Sequence, residues 1–299
     1  MSSRVAVVLV SLLLAAPVVM FWLWLVILPA RVATLCPVEC TCDTGGYYVS
    51  CVNTSLNPVP LIRLTDVRVI WLYENKIPLL GNDSFVSLTD LEKLSVSWCG
   101  LRTIEMGAFN GLTKLTELLL SGNEISEIIP GTFENMNSLE HLGLTNNNLE
   151  HLDRDVFGGL DSLKYIYLQG NKLQYLHPDT FLRLPNLQQL NLAFTPTLTI
   201  PTDRNFINSH SLSHLSISYC DLSSVSVAKF ANVSALERLN LKGIDINILT
   251  ALPKLSALYL YGNPLQCDCQ LQEVWRWCQF VTYGQRLGKD SRNVTHRAK

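Results

Sequence analysis

The chain has 299 residues and a formal net charge of −2, with 16% charged and 48% hydrophobic residues. The length allows a sizeable core, and the apolar share is high for a soluble protein. The body of the chain holds no lysine or arginine run, which argues against nucleic acid as a partner, because such binding rests on clustered positive charge.

Part of the hydrophobic excess is local. Val5 to Ala30 carries no charge and is flanked by Arg4 and Arg31. A positive start, an apolar stretch and an alanine before the mature chain describe a secretory signal peptide over residues 1–33. The stretch also exceeds the roughly 20 apolar residues that can cross a bilayer, so an uncleaved signal anchor is the rival reading. Either way the remainder is expected outside the cytoplasm. It is secreted, or it is held at the cell surface through the N-terminal anchor; a membrane is a partner only if the segment stays uncleaved. Four sequons, at Asn53, Asn82, Asn232 and Asn293, agree with export and are the expected glycosylation sites.

Residues 34–66 contain "CPVECTCDTGGYYVSC", from Cys36 to Cys51, with spacing Cys-x3-Cys-x-Cys-x8-Cys. Zinc ligation is one reading of four clustered cysteines; an exported setting favours disulfides.

A periodic region follows over 67–265. Residues 115–138 read "LTELLLSGNEISEIIPGTFENMNS", 139–162 read "LEHLGLTNNNLEHLDRDVFGGLDS", and 163–186 read "LKYIYLQGNKLQYLHPDTFLRLPN". Each has leucine at position 1, leucine or isoleucine at 4, leucine at 6, asparagine at 9, aliphatics at 11 and 14, and phenylalanine at 19. The register starts at Val67, Leu91, Leu115, Leu139, Leu163, Leu187, Leu212, Leu236 and Leu255. The phenylalanine column is Phe85, Phe109, Phe133, Phe157, Phe181, Phe206 and Phe230. The step from Leu187 to Leu212 has one extra residue; that from Leu236 to Leu255 is short and lacks the phenylalanine. Positions 4 and 6 alternate with polar neighbours, as in a strand with one buried face. One such unit cannot bury its apolar set alone, so neighbours must stack on it.

This pattern resembles the leucine-rich repeat family, in its 24-residue form. The resemblance implies an α/β solenoid of about nine repeats with a parallel concave sheet. It also implies a ladder of buried asparagine amides at position 9. That position holds Asn75, Cys99, Asn123, Asn147, Asn171, Thr195, Cys220, Ile244 and Asn263. Cysteine is an accepted alternative there, so Cys99 and Cys220 are expected to be buried free thiols. Ile244 cannot join the ladder, and a local irregularity is expected around it.

The cysteine motifs at both ends are similar to the caps of extracellular members such as Slit, the small leucine-rich proteoglycans and many cell-surface receptors. For residues 34–66 the resemblance implies bonds Cys36–Cys42 and Cys40–Cys51. After the last repeat, residues 266–299 hold Cys267, Cys269 and Cys278. Leu271, Val274, Trp275 and Cys278 share one helical face. The corresponding family cap has four cysteines, so this one is expected to be partial, its three cysteines being the expected disulfide formers.

No P-loop, HExxH or GxSxG is present, and no catalytic residue, cofactor or metal is expected. What remains is surface. Positions 3, 5 and 7 point out of the sheet, and position 8 adds residues at its edge. Exposed aromatics are expected in three groups: Trp71, Tyr73 and Trp98; Tyr165, Tyr167, Phe194 and Tyr219; and Tyr259 and Tyr261. The plain reading of the end groups is packing against the caps. Aromatics are enriched at binding hot spots, so Tyr165, Tyr167, Phe194 and Tyr219, with His141 and Glu117, are the candidate partner-binding residues. The expected function is non-catalytic recognition of an extracellular or cell-surface protein, or a glycan, by the concave face. Adhesion, guidance or receptor signalling would be its setting. A secreted innate-immune binder, like the Toll ectodomains, or a regulatory subunit of a secreted enzyme is the alternative. Both rest on fold analogy.

Overall fold

The structure, a computed structural model, describes residues 36–43, 45–55, 66–199, 204–220, 227–241 and 252–259. The N-terminal apolar segment, the irregularity expected at Ile244, and Cys267, Cys269, Cys278 and Asn293 lie outside the described residues.

Each repeat contributes one short strand to a common sheet. Among the described residues this sheet has eleven strands. An antiparallel pair, Thr41–Cys42 and Tyr48–Ser50, opens it. Then come Val69–Trp71, Lys93–Ser95, Glu117–Leu119, His141–Gly143, Tyr165–Tyr167, Gln189–Asn191, His214–Ile217, Arg238–Leu241 and Ala257–Tyr259. Every neighbour from Tyr48–Ser50 onward is parallel, and equivalent repeat positions face one another: Tyr165 lies beside both His141 and Gln189. A parallel sheet with such short crossovers is possible because each repeat is one coil of a solenoid.

The helical side of the expected α/β solenoid is slight. Among the described residues it consists of the 3-10 turns Pro178–Phe181 and Val227–Phe230. The rest is turns and two small parallel ladders, Leu79–Leu80 with Thr103–Ile104 and His151–Leu152 with Tyr175–Leu176. The repeat spends its residues on the strand and the return path, leaving too few for a full α-helix, whose hydrogen bonds span four residues. At Pro178 the chain enters its 3-10 turn with His177 as cap, Nδ1 accepting from the Asp179 N–H at 3.1 Å.

The core is the sum of the repeat columns. Positions 1, 4 and 6 are buried from Val67 to Leu239, as in Leu139, Leu142 and Leu144, while Leu258 on the last described strand is half-buried. The phenylalanines form a second column on the return path. Rings from Phe85 to Phe181 stack at 5.8–6.4 Å with planes within 18° of parallel. Phe206 and Phe230 instead meet edge to face, at 77°. The change falls after the repeat that carries one extra residue, between Leu187 and Leu212.

The asparagine ladder forms as the resemblance implies. Asn123 Nδ2 donates to Leu120 O in its own coil and to Val96 O in the coil before, at 2.9 and 2.6 Å. Its Oδ1 accepts the N–H groups of Cys99 and Leu101. Asn147 and Asn171 repeat the pattern. Cys99 and Cys220 are buried free thiols. They fill the same double role: Sγ of Cys99 donates to Leu72 O at 2.7 Å and accepts from the backbone N–H of Asn75. Cys220 does likewise with Leu192 O, at 3.2 Å, and the N–H of Thr195. Burial pushes both thiols up, that of Cys220 to about 11. Thr195 is the weak rung: it is fully buried, and its Oγ1 has no partner among the described residues.

Cys36 is bonded to Cys42 and Cys40 to Cys51, the pairing implied for the N-terminal cap. Cap and solenoid are continuous, with the Cys51 and Asn53 N–H groups bonded to Trp71 O and Tyr73 O at 2.8 and 2.9 Å. Among the described residues no helix is long and apolar enough to cross a membrane.

Candidate partner-binding face

The outward face of the sheet is built from positions 3, 5 and 7. Neighbouring strands crowd these side chains, so Glu117, His141, Tyr165 and Tyr167 are half-buried, while Ser95, Gly143 and Ser97 are buried. Lys93 and Glu117 form an ion pair at 2.9 Å. His141 and Tyr165 stack at 4.5 Å. Partial burial, then the neighbouring Tyr165 hydroxyl, raises the Tyr167 pKa, so that phenol stays protonated.

Position 8 has a property that its column did not announce. Glu74, Trp98, Gly122, Asn146, Gly170, Phe194 and Tyr219 all adopt left-handed backbone, with φ between 53° and 72°. The chain turns there from the strand into the asparagine rung. Glycine and asparagine tolerate this conformation; bulky residues do so at a cost. Three aromatics nonetheless occupy it. Trp98 and Phe194 are 52% and 56% exposed, and Tyr219 is exposed as well. Local strain of this kind concentrates at functional sites.

The six candidates therefore do not make one cluster. His141 stacks on Tyr165 within the sheet; Phe194 stacks on Tyr219 along its edge, at 4.5 Å and 10° between planes. Tyr167 follows Tyr165 on the same strand, and Glu117 is held by Lys93 two strands away from it. Among the described residues no ring contact links the two pairs. Trp98 extends the edge row toward the N-terminus by lying over Gly122, where an added Cβ would come within 2.4 Å of the indole. Tyr259 is 49% exposed; Tyr261 and the cap that the two were expected to pack against lie outside the described residues. Trp71 and Tyr73 are half-buried beside the N-terminal cap, as that packing requires.

Sequence reasoning missed a depression further along the outward face. It has a volume of about 340 Å³ and is lined by Gln189, His214, Ser216, Arg238, Asn240 and Tyr259. Burial, then the charge of Arg238, lowers the His214 pKa. The available signal was the succession of His214 and Arg238 at position 3 of adjacent repeats. Among the described residues, no group of three or more histidine, cysteine or acidic side chains could hold a metal ion.

A stacked parallel sheet, an asparagine ladder and a phenylalanine spine define a leucine-rich repeat protein, and the chain belongs to that family. A "Leucine rich repeat" family model matches residues 91–149 and 139–196, and a "BspA type Leucine rich repeat region (6 copies)" model matches 170–251. Among characterised relatives the chain is similar to Leucine-rich repeat-containing protein 3B of Homo sapiens, Mus musculus and Bos taurus. Each is 33% identical over 86 residues, which is 28% of this chain and 33% of the relative. The chain thus spans about a third of the length of these relatives. Proteins of this family are generally non-catalytic and commonly bind other proteins.

Proposed function

We propose that this is an extracellular or cell-surface recognition protein that holds a protein partner against the outward face and edge of its sheet, in adhesion, guidance or receptor signalling. The observation that carries the reading is the exposed Phe194–Tyr219 pair, kept in left-handed backbone along the edge of the sheet. Exposed aromatics held against a conformational cost fit a binding hot spot.

Export is supported by the apolar N-terminal segment and by two disulfides, which persist in oxidising compartments. Asn53, Asn82 and Asn232 are exposed. None of the three stands on a strand of the sheet; Asn53 continues the position 8 row at the N-terminal cap, six coils from Phe194. Residues 34–66 would act as the N-terminal cap and 266–299 as the C-terminal one.

The test is capture of partners from extracellular fluid by the purified chain, beside a Phe194→Ala/Tyr219→Ala variant and a Tyr165→Ala/Tyr167→Ala variant. A cell-surface protein retained by the parent and lost by the variants is the expected result. Capture unchanged in both variants sinks the proposed face. A secreted enzyme or a microbial polymer as the captured species would move the role to a regulatory subunit or to immune recognition.

A further inference from the structure

Resting on that reading, we infer that the depression between strands Gln189–Asn191 and Ala257–Tyr259 receives an acidic side chain from an extended segment of the protein partner. Three observations carry this.

Charge comes first. Of the cations on outward strand positions, Lys93 is neutralised by Glu117. Arg238 is exposed and has no acidic partner among the described residues. A guanidinium offers a planar fork of donors that matches a carboxylate in bidentate geometry.

Next is the arrangement around it. His214 lies beside Arg238 in the strand register. Its Nδ1 meets Ser213 Oγ at 2.7 Å, which leaves Nε2 for a ligand. Tyr259 stands opposite Asn240 and offers a half-exposed ring on which an apolar neighbour of the acid could rest.

The third is an unmet need. Asn240 lines the depression, and its Oδ1 is buried with no hydrogen-bond partner among the described residues. A buried acceptor left unpaired is costly, and rotation of the Asn240 side chain into the depression would let a backbone N–H satisfy it. A carboxylate brings no donor, whereas an extended peptide carries an acid and amide donors together. A polyanionic glycan fits less well, because it needs several uncompensated cations in a row, and the described outward strand positions offer Arg238 alone.

The experiment is selection of random short peptides, displayed on phage, against the full-length glycosylated chain. Recovered peptides should share an aspartate or glutamate at a fixed place. Their affinity should fall at least about tenfold with Arg238→Gln, fall less with Arg238→Lys, and hold with Arg183→Gln, an exposed arginine of the return path. Peptides without a common acid, an empty selection, or affinity unmoved by Arg238→Gln overturn the inference. Peptides that depend on Phe194 and Tyr219 but ignore Arg238 overturn the acidic pocket and leave the recognition role standing. Heparin retention that disappears with Arg238→Gln, without a peptide consensus, overturns it in favour of a sulfated glycan.

Discussion

The rings of Phe194 and Tyr219 stack with centroids 4.5 Å apart, and both residues hold left-handed backbone, at φ 57° and 59°. An aromatic pair contributes about 0.5–1.5 kcal/mol beyond its burial. Left-handed backbone costs a bulky residue roughly 1–2 kcal/mol. With both residues left-handed the backbone cost, about 2–4 kcal/mol, exceeds the stacking term, so the pair does not stabilise the fold. Its rings remain available to a partner.

Replacing Phe194 with asparagine therefore separates fold from function. Asn146 holds the same repeat position at φ 53°. Urea unfolding of Phe194→Asn should match the parent within about 1 kcal/mol, while retention of the captured partner falls sharply. A large loss of stability would show that the ring serves the fold.

Gly122 makes room for Trp98. At φ +70° an alanine would be strained, and its Cβ would lie 2.4 Å from the indole. Gly122→Ala should cost about 1–3 kcal/mol. Combining it with Trp98→Ala should recover the part due to the clash and leave the part due to φ. A double-mutant cycle in chemical denaturation measures the coupling; strict additivity would count against the contact.

Asn147 ties its own coil to the one before through Leu120 O, Leu144 O and the Ile125 N–H. Alanine there strands three buried backbone groups, at a cost of about 2–4 kcal/mol. Asn147→Cys should cost less, because Cys99 and Cys220 already serve as both donor and acceptor at this position. Thermal unfolding of the two variants gives the order; an equal loss would mean that the thiol does not substitute for the amide.

Alkaline pH should weaken the solenoid through Cys220. Its thiol stands at about 11 in the folded chain against 9.0 for an ordinary one. Above pH 9 the unfolded chain releases a proton that the folded chain keeps, so stability falls as pH rises toward 11. The slope is at most roughly 1.4 kcal/mol per pH unit for this group. Unfolding of the parent and of Cys220→Ala at pH 8 and pH 10 isolates it: the parent should lose more. Alkylation at pH 8 should leave the peptides bearing Cys99 and Cys220 unmodified until the chain is denatured.

The solenoid was legible because it is written many times over. Leucine at position 1, the aliphatics at 4 and 6 and the phenylalanine at 19 recur at one spacing from Leu91 to Leu187, and there each proves buried. The roles of Cys99 and Cys220 followed from their column. The left-handed turn at position 8 was readable in Gly122, Asn146 and Gly170, and was hidden by Trp98, Phe194 and Tyr219, which local preference excludes from such a turn. Splitting the aromatic group into two pairs required ring orientations, which a column of letters does not carry. The depression around Arg238 draws on four coils at once and on an unpaired amide, so it appears only when the coils are stacked.

The rungs of the ladder are equivalent, and that bears on how such a chain can change. Asn171 reaches back to Leu144 O as Asn147 reaches back to Leu120 O. Excise residues 139–162 and Asn171 would meet Leu120 in place of Leu144, Phe181 would meet Phe133 in place of Phe157, and every contact class would survive. The repeat behaves as a cassette. Recombination can lengthen or shorten the protein in whole turns while its end cap and its motif grammar stay intact, moving Trp98 and the Arg238 depression closer together or further apart without redesigning either.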